Sequence, residues 1–225
     1  HEHVRFLYSN GSMYKCCNSN LLYHGCIPMT ENREFDGLMV GGKMYRGKEL
    51  MDFIDTQVKN AYFLPEDAPE KEACRDFMWY LWNGAKSPVF GKDKNRSFEH
   101  YFIEDPEVMR ETMNPYYQLS EEEETCDMIL KEFGLPTKGS HIINGHMPVK
   151  IKSGETPIRA GGKLFIIDGG LSKAYQERTG IAGYTLIFNS HHLALAEHKP
   201  FDPERERTPK VYIVEKMQKR ITVAD

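Results

Sequence analysis

Two of the nine histidines stand in matching surroundings. His24 follows Asn20-Leu21-Leu22-Tyr23 and precedes Gly25-Cys26; His146 follows His141-Ile142-Ile143-Asn144-Gly145 and precedes Met147-Pro148. Each lies where a short apolar run of strand composition gives way to a loop, with a glycine beside it. Loops at strand ends are exposed yet anchored, which suits them to carrying sites. Neutral imidazole is the commonest ligand for borderline divalent metals, and an adjacent glycine lets an ion or a phosphate approach the backbone. Taken singly, a histidine at a strand end is more often a hydrogen-bonded polar residue than a ligand. The shared context strengthens the case for a ligand pair but leaves the hydrogen-bonded alternative ahead of it. Two imidazoles do not complete a catalytic metal site, which uses three or more protein ligands, so further groups must come from elsewhere.

Basic residues crowd one loop: Lys86, Lys92, Lys94 and Arg96 lie within "KSPVFGKDKNRSF". Such a loop either cradles an anionic phosphate or is a solvated basic surface. A second candidate is "IDGGLSKAYQERTG", where an apolar run ends at Asp168 and is followed by Gly169-Gly170, Ser172 and Lys173. It lacks the GxxxxGK[ST] spacing and is not a nucleotide P-loop. Asp168 could orient a metal-binding histidine or cap the turn at Ser172; the cap is the expected role. His191-His192 follows Asn189-Ser190 and reads as a hairpin tip.

These residues need elements to hold them. The stretch "VRFLYSNGSMYKCCNSNLLYHGCI" alternates, turns and alternates again, which predicts a meander of short strands. Gly41-Gly42 predicts a hairpin turn. A helical stripe through Leu50, Phe53, Ile54, Val58 and Ala61 begins after Gly47. Asp67 and Pro69 open a second helix that ends near Gly84. Residues 83–117 are loop-rich. Ser120 with Glu123 has capping-box spacing for a third helix, ended by Gly134 and Pro136. Strands return in "HIING" and "KLFIIDGG", then a short helix or turn in "SKAYQERTG", then a terminal meander of "GYTLIFNS", "HLALAEHKPF" and "KVYIVEKM". The order is strands, helices, strands, with no repeat and no domain boundary.

Composition limits the rest. The chain has 225 residues, 40% of them hydrophobic and 12% aromatic, enough for a sizeable core. A net charge of −4 gives no reason to expect nucleic acid or an acidic membrane as a partner. No apolar run approaches the roughly 20 residues of a membrane span. Five cysteines, an odd number without CxxC or zinc-knuckle spacing, read as reduced thiols of a cytoplasmic protein. The start on "HEHVRFLYS" and the end on "KRITVAD" read as cuts in a longer protein.

Several of these stretches together resemble one family. "GSMY", "NLLYHGCIPM", "FMWYLWNGAKSPVFGKDK", "FEHYFIED", "NPYY", "SHIINGHMPVKIKSGETPIRAGGKLFIIDGGLSKAYQERTGIAGYTLIFNS" and "VEKMQKRITVAD" look like the C-terminal part of the class III fructose-1,6-bisphosphatases of bacteria. The resemblance runs nearly end to end. It implies an α/β (α+β) fold, part of a calcineurin-like metallophosphoesterase β-sandwich flanked by helices. It implies hydrolysis of the 1-phosphate of fructose 1,6-bisphosphate, as in gluconeogenesis, with two divalent ions, Mn²⁺ or Mg²⁺, clamping the phosphoryl oxygens. His24 and His146 match the last two histidines of that family's metal site, and Gly25 would then leave room for the ion. Lys92, Lys94, Lys173 and Arg178 become candidates for holding sugar phosphate. The superfamily's Asp-x-His, Gly-Asp-x-x-Asp and Gly-Asn-His ligands have no counterpart in the chain. The expectation is therefore a single domain over 1–225, a C-terminal fragment inactive alone, whose partners are a sugar phosphate, the remainder of its own chain and, left open, further copies of itself. Two rivals remain: a noncatalytic binding or assembly domain, and a metallophosphatase for another phosphoester such as a phosphoprotein.

Overall fold

A computed structural model describes residues 1–168, 170, 172, 177, 179, 183–189 and 191–198, together with the backbone of one strand over 210–216. The chain opens not with a strand but with a helix, α1 (Glu2–Asn10). The alternation in "HEHVRFLYS" suggested a strand, but Val4, Leu7 and Tyr8 also stand at helical spacing. The helix is closed by hydrogen bonds from the Asn10 side chain to the Phe6 carbonyl and from Gly11 N–H to the Leu7 carbonyl. Strand structure begins at β1 (Tyr14–Cys17), which pairs antiparallel with β2 (Asn20–Tyr23) across the Asn18-Ser19 turn. Both turn residues have positive φ, as a tight two-residue hairpin turn requires.

The hairpin at Gly41-Gly42 forms as β3 (Gly37–Val40) and β4 (Lys43–Arg46). Helix α2 (Gly47–Phe63) follows directly and buries Leu50, Met51, Ile54 and Ala61. It packs on α3 (Pro69–Asn83), with Phe53 and Phe77 edge to face. Pro69 occupies the first turn of α3, Ala68 rather than Asp67 is the N-cap, and Gly84 ends the helix. Two single turns, α4 (Pro106–Met109) and α5 (Tyr116–Leu119), punctuate the loop-rich stretch. The capping box does not form. Ser120 closes α5 at its C-terminal end, and α6 (Glu123–Glu132) starts from Glu122 without a side-chain cap. The α5 turn takes up the residue that the S-x-x-E spacing offered as a cap.

The main sheet has five strands in the order β1-β2-β5-β7-β6, with β5 (His141–Asn144), β6 (Ile158–Arg159) and β7 (Leu164–Ile166). Its centre is parallel: β2 pairs with β5 and β5 with β7, while β1 and β6 close the edges antiparallel. Parallel neighbours need a long crossover; between β2 and β5 it contains α2, α3 and α6. A second, antiparallel sheet joins β8 (Gly183–Phe188), β9 (His192–His198) and β10 (Lys210–Lys216), the expected terminal meander. Leu21, Ile142, Ile143, Leu164 and Phe165 of the first sheet share one core with Tyr184, Leu193 and Leu195 of the second and with Cys126, Ile129 and Leu130 of α6. Full burial of such aliphatic side chains is worth roughly 1.5–3 kcal/mol each. The architecture is mixed α/β. Among the described residues, no helix is long and apolar enough to cross a membrane.

Candidate metal centre

The register of the parallel strands aligns their carboxyl ends: Tyr23 lies opposite Asn144, and Asn144 opposite Ile166. His24 is the first residue beyond β2. His146 and Asp168 are each the second residue beyond β5 and β7. Three residues 144 positions apart at their extremes therefore stand on one rim of three adjacent strands. In open α/β sheets this rim is where ligands bind.

The two imidazoles meet there. His24 Nε2 lies 3.0 Å from His146 Nδ1, and the rings stand edge to face with centroids 4.9 Å apart. The other nitrogen of His146, Nε2, lies 3.2 Å from the Phe90 carbonyl oxygen. A carbonyl only accepts, so Nε2 carries the proton and Nδ1 presents a lone pair towards His24. Metal-ligating histidines are commonly oriented in this way, through the opposite ring N–H. Burial pushes His146 below the usual histidine value; nearby His24 and Lys92 act in the same sense, and the Phe90 carbonyl and Asp168 oppose them without reversing the shift. The ring is thus held in its neutral, ligand-competent form. His146 also has a φ of 64°, in a tight turn where Met147 N–H donates to the Gly145 carbonyl. A non-glycine residue in such a conformation costs about 1–3 kcal/mol and persists only where its surroundings enforce it.

The donors fit a divalent ion as a partial set. Nitrogens 3.0 Å apart can both reach one ion at the usual bond length of about 2.0–2.1 Å. Among the described residues, no group of three or more His, Cys, Asp or Glu gathers as a metal cluster.

The two flanking glycines do different work. A Cβ on Gly25 would fall 2.2 Å from the Pro88 carbonyl oxygen, the acceptor of a 2.8 Å hydrogen bond from Cys26 N–H. Gly25 is required by that close backbone approach, a reason beyond the one expected for it. A Cβ on Gly145 would make only ordinary contact, 3.5 Å from the His24 carbonyl oxygen. That carbonyl accepts from Gly145 N–H at 3.0 Å and continues the strand ladder past the histidine.

Asp168 has a local partner. Its carboxylate accepts from Gly170 N–H at 2.7 Å, and its carbonyl accepts from Val149 N–H at 3.0 Å. The basic loop is largely paired: Lys86 with Asp36 at 3.0 Å, Lys92 with Glu111 at 2.6 Å, Arg96 with Glu99 at 2.6 Å. Lys94 makes no ion pair among the described residues. Lys173 and Arg178 lie outside the described residues.

Comparison with known proteins extends over the whole of this framework. The family model for the Firmicute fructose-1,6-bisphosphatases matches residues 1–225. The chain belongs to this family. Among curated relatives, the class 3 fructose-1,6-bisphosphatase of Finegoldia magna is 48% identical over 228 residues, covering 100% of this chain and 35% of the relative. That of Fusobacterium nucleatum is 49% identical over 231 residues, covering 100% and 36%. One from Clostridium beijerinckii is 55% identical over 201 residues, covering 89% and 30%. The chain thus spans about a third of the length of the curated relatives it matches. No solved structure matches it.

Within this family frame, sequence reasoning missed the residues beneath the histidines. Asn144 is 3% exposed, and its side-chain amide donates to the Gly25 carbonyl and, at 3.2 Å, to the Tyr116 hydroxyl. The Tyr116 hydroxyl lies 2.6 Å from that of Tyr23. Asn114 Oδ1 accepts from both Met29 N–H at 3.1 Å and Tyr116 N–H at 3.0 Å, fixing α5 against the segment that follows His24. One signal was visible: an asparagine ends the otherwise apolar run Ile142-Ile143-Asn144, where a buried amide must find partners.

Proposed function

We propose that this chain is the C-terminal portion of a fructose-1,6-bisphosphatase and supplies two histidine ligands to its metal site. The observation that carries the reading is the 3.0 Å approach of His24 and His146 on the carboxyl rim of paired parallel strands. In the whole protein the reaction would be hydrolysis of the 1-phosphate of fructose 1,6-bisphosphate, giving fructose 6-phosphate and phosphate. A divalent ion, Mn²⁺ or Mg²⁺, would supply Lewis-acid stabilisation of phosphoryl charge and a nucleophile at neutral pH. His24 and His146 would hold that ion, with the Phe90 carbonyl fixing the proton of His146 on Nε2. Lys92 and Lys94 stand on the neighbouring loop as candidates for the sugar phosphate, and Lys92 would have to exchange Glu111 for it. The rim would belong to a calcineurin-like β-sandwich in a single cytoplasmic domain completed by the rest of the chain.

A second reading applies to the 225 residues alone: a noncatalytic binding or assembly unit. It is supported by the lack, among the described residues, of a third ligand beside the histidines. Phosphate release from fructose 1,6-bisphosphate with added Mn²⁺, assayed on this chain and on the full-length protein, separates the two. Turnover by the full-length protein only is the expected result. Metal-dependent turnover by the 225-residue chain would refute its inactivity, and none by either would refute the phosphatase reading.

A further inference from the structure

We infer that Asn144 and Tyr116 are positioning residues, a buried hydrogen-bonded clamp that fixes His24 relative to His146. Three connections carry this. Asn144 is the last residue of β5, two positions before His146, so its backbone moves with the His146 turn. Its amide donates to the carbonyl of Gly25, the residue after His24, and so reaches across to the other turn. The same amide donates to Tyr116, whose hydroxyl bonds that of Tyr23, the last residue of β2. Tyr23 and Asn144 are also register partners. The loop that closes β2 is thereby tied to the end of β5, and the two strand ends to each other, through one amide group.

The chemistry allows no simple substitute. The Gly25 carbonyl can only accept, so the atom facing it must be the amide nitrogen. The tyrosines and the asparagine are all buried, so each loses hydration and depends on the others for hydrogen bonds. His24, by contrast, is exposed and leaves the sheet at Gly25. Its place on the rim depends on the ladder bond from Gly145 N–H to its own carbonyl and on what holds the Gly25 peptide, which is Asn144 from below and the Pro88 contact from the side.

The geometric part stands on these contacts; its consequence for ion binding rests on the reading of His24 and His146 as ligands. The test uses the full-length protein with Asn144→Ala, Tyr116→Phe and, as a control, Leu130→Ala, which opens the same core on α6 without removing any of the clamp's hydrogen bonds. Mn²⁺ affinity is measured by calorimetry. Asn144→Ala is expected to weaken it about 10–100-fold, the usual effect of removing a group that orients a ligand. Tyr116→Phe should weaken it less, in the same direction. Leu130→Ala should lower the melting temperature yet leave the affinity within about twofold. An Asn144→Ala affinity equal to wild type overturns the proposal. Should Asn144→Ala fail to fold, Tyr116→Phe, which removes one oxygen, carries the same comparison. Crystal structures of the variants decide the geometry without the metal: His24 Nε2 and His146 Nδ1 remaining in hydrogen-bond contact would sink the clamp. If wild type binds no Mn²⁺, the ligand reading fails, and the crystal structure alone then judges the clamp.

Discussion

The histidine rim and the basic loop over 86–96 both carry residue types suited to chemistry, and they are built in opposite ways. In the loop, four cations lie close in sequence, and three of them meet a carboxylate of their own in the fold: Asp36, Glu111 and Glu99. On the rim, two imidazoles 122 positions apart converge, and among the described residues no counter-charge is bonded to either. Clustering along the chain led to local neutralisation. Separation along the chain, followed by parallel pairing, led to convergence. The parallel strands bring chemistry together because their loops all leave on one side.

The largest expected effect breaks the comparison at the rim. In the full-length protein, His24→Ala and His146→Ala should each lower kcat by about 100-fold or more with little change in KM, since an ion of this kind acts chiefly in the transition state. Lys92→Ala and Lys94→Ala should instead change kcat/KM by no more than about tenfold, mainly through KM. Steady-state kinetics on the four variants checks both halves; equal losses at the histidines and the lysines would erase the distinction drawn here.

A second variant tests what shapes the rim from outside. Gly25→Ala brings a methyl group against the Pro88 carbonyl, and that backbone has to move. The expected cost is about 2–3 kcal/mol in denaturant unfolding, typical of forced overpacking. Gly145→Ala, with only ordinary contacts, should cost less than about 1 kcal/mol. Similar losses at both positions would show that the close approach at Gly25 has no special weight.

The smallest effect sharpens the loop side. Burial alone would raise the Glu111 carboxyl, but the Lys92 ammonium and the Arg96 N–H outweigh it and hold the group below the usual range. A carboxyl with a depressed folded value contributes stability that is complete above its unfolded value of about 4.3 and is lost as pH falls through the lower folded value. Glu111→Gln should therefore be less stable than wild type at neutral pH, by no more than about 1 kcal/mol. The gap should narrow steadily in melts taken at pH values falling below about 4.3, as the carboxyl takes up its proton in both states. A gap that persists in acid would mean the pair is not what Glu111 contributes.

Much of this was legible in the residues. The 3.6-residue stripe of Leu50, Ile54 and Ala61 and the apolar runs at 141–144 and 164–166 became the elements they implied, because burial of those stripes decides local structure. The opening helix was not legible, since its nine residues match both periodicities and none of them is buried to decide between the two. Ser120 was misread because a short spacing motif cannot show that α5 has already claimed the residue. The matched settings of His24 and His146 were visible; the Asn144 bond to Gly25 was not, because it joins groups 119 positions apart. Long-range pairing is what a reading of local pattern lacks.

The 122-residue separation of the two histidines has a consequence in time. At a synthesis rate of about 5–20 residues per second, His24 leaves the ribosome roughly 6–24 s before His146. Loop closure, by contrast, takes microseconds or less. For all of that interval β2 lacks the partner strand that later carries Asn144 and His146, and of the five described strands of the main sheet only β1 and β2 are available to pair. The rim therefore cannot act as a unit during most of translation. The two histidines can meet only after the strand at 141–144 has been made and has paired with β2.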